Sequence, residues 1–121
     1  MLVPESYREI EKAKGRSLRE IGSAGVAFTR ADILEVFQSL KGTQVGVLGG
    51  DVLRIVGQKL RYTNDNWHVK KKPGENIADY LARSVAESER YVLGYRETDA
   101  TILYAPVISE LGIANSVPTK V

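Results

Sequence analysis

Apolar positions recur at intervals of three and four residues after Asn76: Ile77, Leu81, Val85, Ser88, Val92 and Tyr95, with Tyr80, Ser84 and Tyr91 beside them. That spacing puts one buried stripe on a 3.6-residue repeat and predicts a long helix over Ile77 to about Tyr95. Asn76 is placed to cap it, Asp79 to meet the positive end of its dipole, and Gly94 to weaken its last turn. A second helix opens at Thr29, with Asp32 three residues on as a short-chain form of the capping box. It buries Ile33, Val36, Phe37 and Leu40 and stops at Gly42. A third runs from Glu5 to Lys14, between Pro4 and Gly15. Arg16 to Gly22 reads as a further helical turn, and Gly22-Ser23-Ala24-Gly25 as a bend.

Elsewhere the period shortens to two. Gln44 to Leu48 is β-branched and runs into Gly49-Gly50, a turn or a bulge. Asp51 to Val56 continues as extended chain, with Arg54 and Val56 alternating against Leu53 and Ile55. Asn64-Asp65-Asn66 is turn chemistry, and a short strand is expected around Trp67 to Lys70. Thr101 to Ala105 is a last strand, closed by Pro106. The order predicts an α+β fold in a single domain over residues 1–121: a small mixed sheet covered by helices. The long helix between strands permits a crossover, and with it some parallel pairing. Residues 113–121, which hold Asn115, Ser116 and Pro118, are expected to form a weakly ordered tail.

Composition agrees with a packed domain. At 43% hydrophobic and 26% charged, the 121 residues match ordinary globular usage rather than disorder. No apolar run approaches the roughly 20 residues needed to span a bilayer, and Met1 to Glu5 does not open a secretory signal. A cytoplasmic protein with no membrane partner is expected.

Residue types narrow the chemistry further. The chain has no Cys and one His, His68, so neither a thiolate site nor a zinc site of the usual ligand count can be assembled, and no metal is expected. No Gly-x-Ser-x-Gly elbow accompanies a serine. Gly46-Val47-Leu48-Gly49-Gly50 matches neither a P-loop nor a dinucleotide fingerprint, and Asp51 behind it would repel phosphate. Glu87, Glu89, Arg90 and Arg83 sit as ordinary solvent-face pairs on the long helix. No catalytic residue, cofactor or small-molecule substrate is therefore assigned.

The net charge of +2 hides an asymmetry. Arg54, Lys59, Arg61, Lys70, Lys71 and Lys72 face the single acid Asp65 in one segment, while the rest of the chain is mildly acidic. Tyr62 and Trp67 lie within that segment, so a small nucleic-acid-binding module using residues 54–72 is the alternative function. No recognition motif frames it, and nucleic acid is the less favoured partner. Tyr62 to Trp67 is the most distinctive stretch. Its polar residues end on the one Trp of the chain, the residue type most enriched at binding hot spots, although a Trp in a small domain equally well fills the core.

Ser17-Leu18-Arg19-Glu20-Ile21-Gly22, Ile33-Leu34 in a helix, Gly49-Gly50-Asp51-Val52, Asp65-Asn66-Trp67 and a long helix with Tyr80, Ser84 and Tyr91 follow in a characteristic order. The order resembles the immunity proteins of bacterial polymorphic toxin systems, in particular the immunity protein 40 family, over roughly Glu5 to Tyr104. The resemblance implies a non-catalytic cytoplasmic protein that binds and blocks the C-terminal toxin domain of a cognate effector, often a contact-dependent inhibition protein. Asp51, Asp65, Asn66 and Trp67 occupy its motif positions. With Arg61 and Tyr62 they form the candidate partner-binding set, a polar and partly aromatic group beside a Gly-rich turn.

Overall fold

The computed structural model describes residues 3–110. Helix α1 (Glu5–Lys14) leads into a short strand β1 (Arg16–Ser17), a 3-10 turn (Arg19–Ile21) and strand β2 (Val26–Ala27). Helix α2 (Arg30–Leu40), strands β3 (Val45–Val56) and β4 (Lys59–His68), helix α3 (Ile77–Gly94) and strand β5 (Ile102–Glu110) follow. This is the expected α+β architecture. The expected tail at 113–121 lies outside the described residues.

Both predicted caps form. Thr29 Oγ1 accepts from the Asp32 amide at 3.3 Å, and Asn76 Oδ1 from the Asp79 amide at 2.8 Å. Each satisfies an amide that the first helical turn leaves without a partner. The stripes face inward as their spacing requires: Ile33, Val36, Phe37 and Leu40 of α2 are buried, as are Tyr80, Leu81, Ser84, Val85, Ser88 and Val92 of α3.

The main sheet has the order β4-β3-β5, and β1 pairs with β2 in a separate two-stranded sheet. Every pairing is antiparallel, so the sheet is not mixed. Helix α3 does cross from one strand to another that runs in the same direction. However, β4 and β5 lie on opposite sides of β3, and parallel strands that are not neighbours share no ladder. The β3-β4 hairpin turns at Gly57-Gln58, both at positive φ (56° and 71°), the geometry that matches the twist of two-residue hairpins.

Two strands are longer than their sequence suggests. Asn64-Asp65-Asn66 does not end a strand; it is a bulge inside β4. Between the pairs Asp51–Asn66 and Leu53–Tyr62, β3 uses one residue and β4 uses three. Asn64 takes the left-handed conformation (φ 73°), while Thr63 Oγ1 donates to the Val52 carbonyl at 2.8 Å and accepts from the Asp65 amide at 3.0 Å. The turn-forming side chains thus act within a continuous strand. Likewise β5 runs through Pro106. Tyr104 exchanges backbone hydrogen bonds with Phe28 on the outer side of β5 (2.9 and 2.8 Å), so the position two residues on also points its nitrogen outward. A missing N–H there costs the ladder nothing. Arg16 to Gly22 holds a strand pair as well as the helical turn expected of it.

The sheet has two unlike faces. Toward the helices, Val52, Trp67, Ile102 and Tyr104 join Tyr7 and Ile10 of α1 and the stripes of α2 and α3 in the main core. On the other face, Leu53, Leu60, Leu103 and Ala105 pack under Leu18 and Ala27, so the β1-turn-β2 segment covers only the hairpin half. Among the described residues no helix lies on the remainder of that face.

Candidate partner-binding surface

Strand alternation and the β4 bulge divide the six candidate residues between the two faces. Trp67 points into the helix layer and is only 6% exposed. Its ring stacks on Tyr91 at 4.8 Å, and its Nε1 donates to Ser88 Oγ at 2.8 Å. Gly50 makes room for it, and Gly49 lets the two strand backbones approach. A Cβ at Gly50 would fall 2.6 Å from the Ala105 carbonyl and closer still to the indole, and one at Gly49 would strike the Trp67 carbonyl. Gly50 and Trp67 are therefore two halves of one packing contact.

Asp65, carried on the bulge, reaches the C-terminal end of α3. It accepts from the Tyr95 hydroxyl at 2.6 Å and pairs with Arg96 at 3.4 Å. Burial, together with this bond to a carboxylate, pushes the Tyr95 phenol above its ordinary value. The neighbouring Tyr91 is pushed up by burial and by the same negative charge. Arg61 is exposed and sits beside Arg54 in the ladder, where Arg54 is ion-paired with Glu97.

Asp51, Tyr62 and Asn66 lie together on the open face. Asp51 stands opposite Asn66 on β4 and Ala105 on β5; the next row toward the hairpin is Tyr62, Leu53 and Leu103. The row on the other side is His68, Gly49 and Val107. His68 and Val107 thus complete the strip, although neither belongs to the candidate set. The signal for His68 was its two-residue spacing from Asn66, hidden once 64–66 is taken for a turn. Val107 lay beyond the proline expected to end its strand. Tyr62 and Val107 are about half exposed (49% and 53%).

The basic residues of 54–72 do not gather into one patch. Arg54 lies against Glu97, Lys59 adds its charge to that of Arg16 beside Glu20, and Lys72 lies beside Glu75. Arg61, Lys70 and Lys71 are strung along the edge strand and the segment that follows it. Charges in such positions discourage edge-to-edge pairing. Among the described residues no group of three or more His, Cys, Asp or Glu is arranged to hold a metal, and no helix is long and apolar enough to cross a membrane.

A three-stranded antiparallel sheet backed by three helices, with one half of its other face left uncovered by the described residues, defines a small α+β domain. Residues 17–108 match the family model of immunity protein 40, and the chain belongs to that immunity-protein family. No curated protein and no solved structure matches it significantly.

Proposed function

We propose that this chain protects a toxin-producing bacterium by binding the C-terminal toxin domain of a cognate polymorphic effector, of the contact-dependent inhibition type, and blocking it in the cytoplasm. Its membership of the immunity protein 40 family over residues 17–108 carries this reading. Inhibition is by obstruction, without catalysis. A protein that imitated nucleic acid in a cationic groove would be strongly acidic, whereas this one has a net charge of +2. Shape and local hydrogen bonds then set the specificity.

The test is co-expression with the toxin domain encoded by the reading frame directly upstream. The two proteins should copurify, and growth should be restored. If the chain neither binds that domain nor rescues growth, the proposal is wrong.

A further inference from the structure

The polar side chains of the central sheet fall into two groups. Those turned toward the helices or the hairpin end are engaged: Arg54 with Glu97, Thr63 with the Val52 carbonyl, Asp65 with Tyr95 and Arg96, and Trp67 with Ser88. Those of the open strip are not. Among the described residues the Asp51 carboxylate, the Tyr62 hydroxyl, the Asn66 amide and the His68 imidazole have neither a side-chain hydrogen bond nor an ion pair. They stand in three consecutive rows of one sheet face, within about 13 Å along the strand at 3.3 Å per residue.

Asp51 is the informative member. It lies on the central strand, half-buried, between Asn66 and Ala105. Other carboxylates around the sheet are matched inside the molecule: Glu20 by Arg16 and the Leu60 amide, Glu75 by Arg83, Glu89 by Lys41, and Glu97 by Arg54. A carboxylate that is partly withdrawn from water and left unpaired gains most from a cationic partner that completes its desolvation. The row beside it has no side chain at its centre, because the middle residue is Gly49, flanked by His68 and Val107. A long side chain lying over Gly49 reaches Asp51 with an apolar contact on one side and a hydrogen-bonding ring on the other.

We infer that this strip is the centre of the toxin-binding surface, and that it receives a lysine or arginine of the toxin on Asp51, with Tyr62, Asn66, His68 and Val107 around it. The inference rests on the immunity reading and adds the face and the chemistry of the partner. The strip is smaller than the roughly 800 Å² that each partner of a stable complex buries, so it is the core of a larger footprint. Arg61 of the edge strand and Lys71 in the segment after it lie outside that core.

Isothermal titration of the full chain tests this, with the upstream-encoded toxin domain, inactivated by substitution, as the probe. Asp51→Asn should weaken binding about 10- to 100-fold, Asp51→Lys by about 1,000-fold or more, and Arg61→Glu or Lys71→Glu by less than about 3-fold. One Lys or Arg of the toxin changed to Asp should restore binding to Asp51→Lys. Without toxin, Asp51→Lys should keep the melting temperature and the monomer mass of the parent. If the parent binds and both Asp51 variants bind equally well, the inference falls and the immunity reading stands. If the parent does not bind, both fall. A toxin-free Asp51→Lys that melts earlier or changes its mass would show that Asp51 serves the fold or a contact between copies, which also overturns the inference.

Discussion

Replacing Gly50 with alanine puts a methyl group where two fixed groups already stand. The new Cβ would lie 2.6 Å from the Ala105 carbonyl oxygen and closer to Cη2 of Trp67, with Cζ2 at 2.9 Å. The carbonyl belongs to the β3-β5 ladder and cannot retreat alone. The indole is held by Tyr91, stacked at 4.8 Å, and at its nitrogen by Ser88. Overpacking of this kind costs about 1–3 kcal/mol. Moving the ring to relieve it loses a hydrogen bond worth ~1 kcal/mol and an aromatic contact worth ~0.5–1.5 kcal/mol. Since the chain either tolerates the clash or gives up the contacts, the expected loss is about 1–3 kcal/mol. Urea denaturation followed by circular dichroism measures it. Trp67, the one Trp in the chain, should also report ring displacement through a shifted emission maximum in Gly50→Ala. Trp67→Phe removes the indole atoms that the new methyl meets and leaves only the Ala105 carbonyl, so the double variant should lose less than the sum of the two single losses. A loss below ~0.5 kcal/mol for Gly50→Ala, or strict additivity with Trp67→Phe, would refute the account of Gly50 as a seat for the indole.

Two buried tyrosines should respond oppositely to loss of the hydroxyl. Tyr80→Phe deletes a 2.6 Å bond to the buried Val69 carbonyl and should cost about 1–2 kcal/mol, while Tyr104→Phe deletes a hydroxyl with no partner among the described residues and should shift the urea midpoint by less than ~0.5 kcal/mol equivalent. Asn76→Ala removes the α3 cap and should cost ~1 kcal/mol by the same assay. Glu75 is gripped by Arg83 and by the Lys72 amide, which hold its carboxyl at about 2 against the ordinary 4.5. Because the folded value is the lower one, its contribution is complete above about pH 4.5 and drains away as the pH falls toward 2. A carbon-13 titration of the Glu75 carboxyl should therefore find its midpoint near 2, and Glu75→Gln should flatten that limb of the stability profile.

The helices were legible because caps and periodicity are local. Thr29 and Asn76 announce their helices in the residues that perform the capping, and the α3 stripe matches its buried face almost residue for residue. Strands were less legible because a strand is settled by its neighbours. Nothing local shows that Asn64 sits opposite a continuing β3, so left-handed chemistry that is a bulge there looks like a chain end. Pro106 is allowed in β5 only because its nitrogen faces the side where Phe28 bonds two residues earlier. The candidate surface inherited this limit. Asp51, Tyr62 and Asn66 share a face only once the register is known, and the same register separates them from Asp65 and Trp67.

The β4 bulge has a consequence for specificity. Without its extra residues, alternation from Tyr62 would carry Asn66 and Trp67 along at fixed spacing, and Asp65 would remain in the ladder. The two added residues leave the alternation unchanged, so Asn66 stays on the open side and Trp67 on the helix side, while Asp65 is lifted out to Tyr95 and Arg96 and Asn66 comes to rest beside Asp51. One strand thereby serves the core with one side and solvent with the other. Substitutions at Trp67, Gly50 or Ser88 must answer to packing. Substitutions at Tyr62, Asn66 or His68 meet no internal partner, and changes at exposed positions of this kind usually stay within about 0.5 kcal/mol. The strip inferred to bind the toxin can thus change in sequence while the buried side of the same strand holds the fold. The energetic separation predicts its own measurement: a stability scan along β4 should rise at Trp67 and stay flat at Tyr62, Asn66 and His68, whereas a toxin-binding scan of the same variants should show the reverse.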